Sequence, residues 1–138
     1  MRRSTMVFAA VLLGCGNPSG SENPELGQQA ERDEAIDLRI GQSATVSGTR
    51  IAFLAVPEDS RCPRSVVCVW MGDGVVRLGI REGQEGEAVH ELHTHPDFAG
   101  SVEAGGVVVR LVELSPYPDE PEVIPQDEYV ARLAVTER

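Results

Sequence analysis

The residues of this chain that could do chemistry fall in three short stretches. In Asp-Ser-Arg-Cys-Pro-Arg-Ser-Val-Val-Cys-Val-Trp, residues 59–70, Cys62 and Cys68 stand six positions apart. A redox pair calls for closer spacing and a thiol of lowered pKa, and a zinc site for two further ligands. In an oxidising compartment the same residues form a structural disulfide, which is the expectation here. A loop this short restricts the unfolded chain by only about 2 kcal/mol on the entropic model, so the bridge chiefly fixes local shape.

Arg61 and Arg64 lie beside and inside that loop. A guanidinium matches a carboxylate or sulfate in bidentate fashion, so two arginines on a rigid corner could contact a ligand. The plainer alternative is that they pair with Glu58 or Asp59 and hold the turn.

The second stretch is His-Glu-Leu-His-Thr-His-Pro, residues 90–96. Imidazole is a common ligand of zinc and copper. On a strand Glu91, His93 and His95 share a face, with neighbours about 6.5 to 7 Å apart, and form a candidate metal site, while His90 points the other way with Leu92. Otherwise these histidines are solvated or locally bonded. The third stretch, Ser-Pro-Tyr-Pro-Asp-Glu-Pro-Glu at 115–122, either presents Tyr117 to a partner in extended polyproline geometry or serves as a stiff crossover. The sequence has no calcium-binding loop, phosphate-binding glycine loop or nucleophile elbow. No nucleophile sits beside a base and an orienting group in a recognisable motif, so the chain reads as non-catalytic and a hydrolase ranks last.

The elements that must position these residues are strands. Period-two alternation marks 36–40, 44–48, 50–56, 75–80, 88–94, 107–114 and 128–136. The run 50–56 is apolar on both faces, which implies cover on two sides, and Pro57 is expected to stop it. The run 66–71 is also apolar on both faces. Gly72-Asp73-Gly74 then reads as a tight turn joining 66–71 to 75–80 in a hairpin, with Trp70 as a core anchor. With 41% hydrophobic residues in 138, there is material for one modest core. The expected fold is a single small all-β domain, an antiparallel sandwich or barrel of seven or eight strands with one local disulfide, over residues 36–138.

Every basic residue is an arginine, and the formal net charge is -10. Such a surface repels phosphate backbones, so no nucleic-acid partner is expected.

The amino terminus supplies an address. Residues 1–14 carry two arginines, then an apolar run from Met6 to Leu13, too short for the roughly 20 residues a membrane-spanning helix needs. Leu12-Leu13-Gly14-Cys15 resembles the lipobox of bacterial lipoproteins. That resemblance implies cleavage before Cys15, acylation of its thiol and amino group, and anchoring in a membrane by several acyl chains, each buried methylene contributing about 0.8 kcal/mol. With Cys15 assigned to lipid, Cys62 and Cys68 are each other's only internal partners. Gly16, where an Asp would favour retention at the inner membrane, points to the outer membrane. Residues 15–35 read as a lipidated cysteine and a disordered tether of about 25 Å root-mean-square reach.

Three segments together resemble a group of uncharacterised bacterial extracytoplasmic lipoproteins: Ser60-Arg61-Cys62-Pro63, then Cys68-Val69-Trp70 with Gly72, and Ser115-Pro116-Tyr117-Pro118 followed by 129–136. The group carries no assigned activity to transfer. The sequence therefore leads to a lipid-anchored envelope protein with a non-catalytic binding or structural β domain. Its partner is an envelope protein or a small ligand; a metal-binding protein using Glu91, His93 and His95 is the alternative.

Overall fold

The computed structural model describes residues 33–138, so the leader, Cys15 and the tether as far as residue 32 lie outside the described residues. The alternating stretches form β1 (Glu34–Arg39), β2 (Ser43–Val46), β3 (Thr49–Asp59), β4 (Gly74–Glu82) and β5 (Ala88–His93). They continue with β6 (Ser101–Ala104), β7 (Val107–Ser115) and β8 (Val130–Glu137). All pairings are antiparallel. Two four-stranded sheets result, ordered β1-β8-β7-β6 and β2-β3-β4-β5, and neither closes on itself. The domain is thus a sandwich and not a barrel. β1 begins at Glu34, inside the stretch assigned by sequence to the tether.

Alternate residues of each strand fill the space between the sheets. Ile51, Phe53, Val76, Leu78, Ile80 and Leu92 from one sheet meet Leu38, Val107, Val109, Ala131, Leu133 and Val135 from the other. Burying one such large side chain contributes about 1.5 to 3 kcal/mol, whereas ion pairs such as Arg132 with Asp37 are exposed and screened by solvent. The apolar interface therefore holds the layers together.

Two strands depart from expectation in ways that shape the site. β3 does not stop at Pro57 but runs on to Asp59, because its register with β4 shifts between Phe53 and Ala55 and again between Ala55 and Glu58. A proline has no N–H to contribute, and an irregular stretch is where a strand tolerates one. The side-chain amide of Gln126 satisfies the neighbouring backbone: Val56 N–H donates to its Oε1 at 3.1 Å and its Nε2 donates to Val56 O at 3.0 Å. β6, only four residues long between Gly100 and Gly105, is too short for alternation to reveal it.

The hairpin expected between 66–71 and 75–80 does not form. β4 pairs with β3 and β5, and residues 60–73 are the tip of a long β3–β4 hairpin. Ser60 N–H donates to Asp73 O at 2.7 Å and Cys62 N–H to Met71 O at 3.0 Å, carrying the ladder into the corner. Val67 and Val69 stand fully exposed, and Trp70, expected in the core, is 56% exposed. The Cys62–Cys68 disulfide closes the tip, with Cα atoms 6.0 Å apart. A covalently closed loop of this size leaves no length for a strand, whatever the β propensity of its valines. Gly72 makes the return: its φ is +69°, and a Cβ there would collide with the Ser60 carbonyl.

β7 runs from Val107, opposite Glu137, to Ser115, opposite Val130, and Glu34 of β1 pairs with Val135. The chain therefore enters the domain at the end where β7 starts. The corner, the 94–100 connection after β5 and the crossover after β7 meet at the other end.

Candidate functional site

Asp73 organises that far end. It precedes β4 and is 7% exposed, and its carboxylate receives the segment that leaves β5. Oδ1 accepts the backbone N–H groups of Thr94 and His95, both at 3.0 Å, and the Thr94 hydroxyl at 3.3 Å. Oδ2 lies 2.6 Å from His93 Nδ1. Burial favours the neutral acid, but the hydrogen bond from His93, those from His95 and Thr94 and the charge of His93 outweigh it, so the Asp73 carboxyl sits below the usual carboxylate range.

These bonds fix both imidazoles. A carboxylate at Nδ1 of His93 holds a proton there and leaves Nε2 as an acceptor. His95 Nδ1 accepts the Asp97 N–H at 3.2 Å, which puts the proton of the neutral ring on Nε2, a donor. The rings belong to an aromatic row: Trp70 lies 5.5 Å from His95, and Phe98 lies 5.2 Å from His95 and 5.4 Å from His93.

A second, half-buried acid holds the corner from below. Asp59 ends β3 and takes Arg61 Nε at 2.8 Å and Nη2 at 2.7 Å in a bidentate pair, while the Tyr129 hydroxyl donates to Oδ2 at 2.9 Å. Arg61 reaches across to the end of β7 in the other sheet and the residues after it, where Nη1 donates to Leu114 O at 2.6 Å and Nη2 to Pro116 O at 2.9 Å. Burial again opposes the charge of Asp59, and the hydrogen bonds from Arg61 and Tyr129 outweigh it and lower the carboxyl. Burial and the neighbouring carboxylate push the Tyr129 phenol up to about 12.

Tyr117 ties the Pro-rich crossover to the corner. Its hydroxyl donates to Cys62 O at 2.8 Å, and its ring lies 5.2 Å from the Arg61 guanidinium and 4.7 Å from that of Arg64. Arg64 also pairs with Asp119 at 2.6 Å on the exposed surface. Arg64 and Ser65 donate backbone N–H groups to Pro118 O and Asp119 O.

Between these parts opens a cleft of about 290 Å³. Leu111, Val112, Glu113 and Leu114 of β7 line it from one sheet. Met71, Gly72, His93, Thr94 and His95 line it from the end of the other, and Arg61, Arg64 and Tyr117 complete it. Its two neutral hydroxyls are already engaged: Thr94 Oγ1 accepts the Gly74 N–H at 2.7 Å, and Tyr117 is bound to Cys62 O. A second hollow of about 410 Å³ lies between the end of β3 and the crossover. There Asp59 and Arg61 are satisfied by each other, and Glu58, Glu120 and Glu122 are exposed.

Of the residues singled out by sequence, the structure brings Arg61, Arg64, Tyr117, His93 and His95 to the one cleft. Cys62 and Cys68 are bridged. Arg61 is not held out on the surface. It is 7% exposed because Asp59 neutralises it and two carbonyls take its remaining reach, which is the alternative of pairing with Asp59. Glu91 does not join the histidines: it pairs with Arg77 at 2.8 Å on the outer face, and β5 ends at His93 before His95 can share that face. Among the described residues no three His, Cys, Asp or Glu side chains gather as a metal ion would need, so the zinc or copper donor set is not assembled. Sequence reasoning named Asp59 as a pairing partner for the arginines but missed Asp73, which was hidden by its two flanking glycines, because they look like a hairpin turn.

Compared with protein-family models, with curated proteins and with solved structures, the chain matches none.

Proposed function

We propose that this protein is a lipid-anchored, non-catalytic binding module of the bacterial cell envelope. Cys15 is acylated, most consistently with the outer membrane, and the β-sandwich binds an envelope partner or small ligand through the cleft beside the disulfide corner. The observation that carries the reading is the placement of the cleft. The chain enters at Glu34, level with Val109 through Val135, whereas the cleft lies by Leu111–Leu114, two to five residues or roughly 7 to 17 Å further up β7. A tether at one end and a shaped, apolar-rimmed cleft at the other suit a module that presents its contact surface away from its anchor. Arg61 and His93 are positioned by the carboxylates of Asp59 and Asp73, and the cleft's hydroxyls are engaged, which supports binding over covalent chemistry.

Two measurements test this reading. Cys15→Ser is expected to move the protein from the detergent phase to the aqueous phase; retention in the detergent phase would refute the anchor. Cross-linking in the native envelope, compared between the wild type and Trp70→Ala with Arg64→Ala, is expected to lose its products in the double variant. An unchanged product pattern with folding intact would remove the cleft from the proposal.

A further inference from the structure

The polar groups left over in the cleft are mostly donors. Arg64 gives Nη1 to Asp119 at 2.6 Å, while its Nε and Nη2 have no partner among the described residues. His95 presents Nε2–H, because its Nδ1 is taken as an acceptor. The carboxylates of Asp59 and Asp73 are both consumed by the groups they hold. Glu113, the one acid in the lining, lies 3.5 Å from Arg132. On a chain of formal charge -10 this is a local concentration of hydrogen-bond donors facing an open volume. Such a set is complementary to a carboxylate, and guanidinium with imidazole is suited to receive one.

The rest of the cleft is apolar. Met71, Leu111 and Val112 line it, and Trp70, tilted against the lining residue His95 with ring centroids 5.5 Å apart, stands exposed beside it. Ligand pockets run from about 300 to 1,000 Å³. At about 290 Å³ this one has room for a ring and an acid group and not for a long chain.

We propose that the cleft binds a small carboxylate with an aromatic or compact apolar body. Arg64 and His95 receive the carboxylate; Met71, Leu111 and Trp70 take the body. This inference rests on the binding reading above but is narrower, since a binding module could take a neutral ligand at the same place.

The chain's single tryptophan sits beside this cleft, so its emission reports on the site directly. The full-length lipidated protein in detergent is titrated with phenylacetate and, separately, with its uncharged analogue phenylacetamide. The same pair is followed by calorimetry in case emission is silent. Phenylacetate is expected to saturate with a Kd at least tenfold below that of the amide. Arg64→Gln and His95→Gln should each weaken the acid at least fivefold and leave the amide unchanged, with thermal midpoints confirming that both variants fold. Equal affinity for acid and amide would overturn the carboxylate assignment while leaving a binding module intact. Absence of binding by both probes, or variants that bind the acid as the wild type does, would also overturn it.

Discussion

Oδ2 of Asp73 lies 2.6 Å from Nδ1 of His93, a residue 20 positions later at the end of β5. One buried carboxylate thereby orients an imidazole and, through its second oxygen, pins the two residues that follow it.

This arrangement makes the site sensitive to acid. The folded-state pKa of Asp73 is lowered, so its contribution is complete above the ordinary carboxylate value of about 3.9 and is lost as pH falls through the folded value. Asp73→Asn is expected to cost about 1 to 3 kcal/mol at pH 7, by leaving buried donors imperfectly matched. Urea midpoints at pH 7 and pH 3 should show the gap between variant and wild type shrinking at the lower pH; a constant gap would mean that the charge is irrelevant.

Tyr129 sets the opposite limb. Its phenol is raised to about 12, above the unfolded value of about 10. The stabilisation is fully present below pH 10 and is lost as pH rises through 12, because the unfolded chain releases that proton first. Wild-type stability should therefore decline by roughly 2 to 3 kcal/mol across that window. Tyr129→Phe, less stable at neutral pH by about 1.5 to 3 kcal/mol for a lost bond to a charged group, should lack the Tyr129 component of the decline. Alkaline denaturation followed by circular dichroism distinguishes the two.

The Asp59–Arg61 pair is largely withdrawn from solvent, with side chains 11% and 5% exposed. Removing one partner strands the other charge, and Asp59→Ala is expected to cost about 3 to 5 kcal/mol. The double change Asp59→Leu with Arg61→Met should be less damaging than the sum of the singles, since it leaves no orphan charge. Strict additivity in a double-mutant cycle would contradict a direct pairing.

His90 faces the sandwich interior from β5, and its Nε2 is buried with no hydrogen-bond partner among the described residues. An unsatisfied buried polar atom costs about 1 to 3 kcal/mol. His90→Leu is accordingly expected to raise the thermal midpoint, by several degrees for a domain of this size. A lower midpoint would show that the imidazole is satisfied by water.

What was legible in the sequence followed from periodicity. Val76, Leu78 and Ile80, or Leu133 and Val135, announce a strand with one inner face, and they lie there. The disulfide was legible from the number and placement of cysteines. What misled was composition without partner information. Val66-Val67-x-Val69-Trp70 looks like a buried strand, yet the bridge that closes the corner also expels it into solvent. Arg61 and Arg64 look equivalent, but only Arg61 is within reach of Asp59 and of the carbonyls of Leu114 and Pro116 at the end of β7, and that proximity is set by residues 53 to 55 positions away. Asp73 could not be recognised because the groups it holds arrive 20 to 22 positions later.

Arg61 has a further consequence for how copies of this protein behave together. β6 accompanies β7 only as far as Arg110, with Leu111 N–H still donating to Gly100 O at 2.8 Å. Beyond that point β7 has no strand on its open flank among the described residues. An unpaired strand edge is a template on which another chain can add itself. The guanidinium, by occupying the carbonyls of Leu114 and Pro116, acts as a substitute for the missing neighbour and withdraws that edge from pairing. The same side chain that holds the corner thus guards against aggregation.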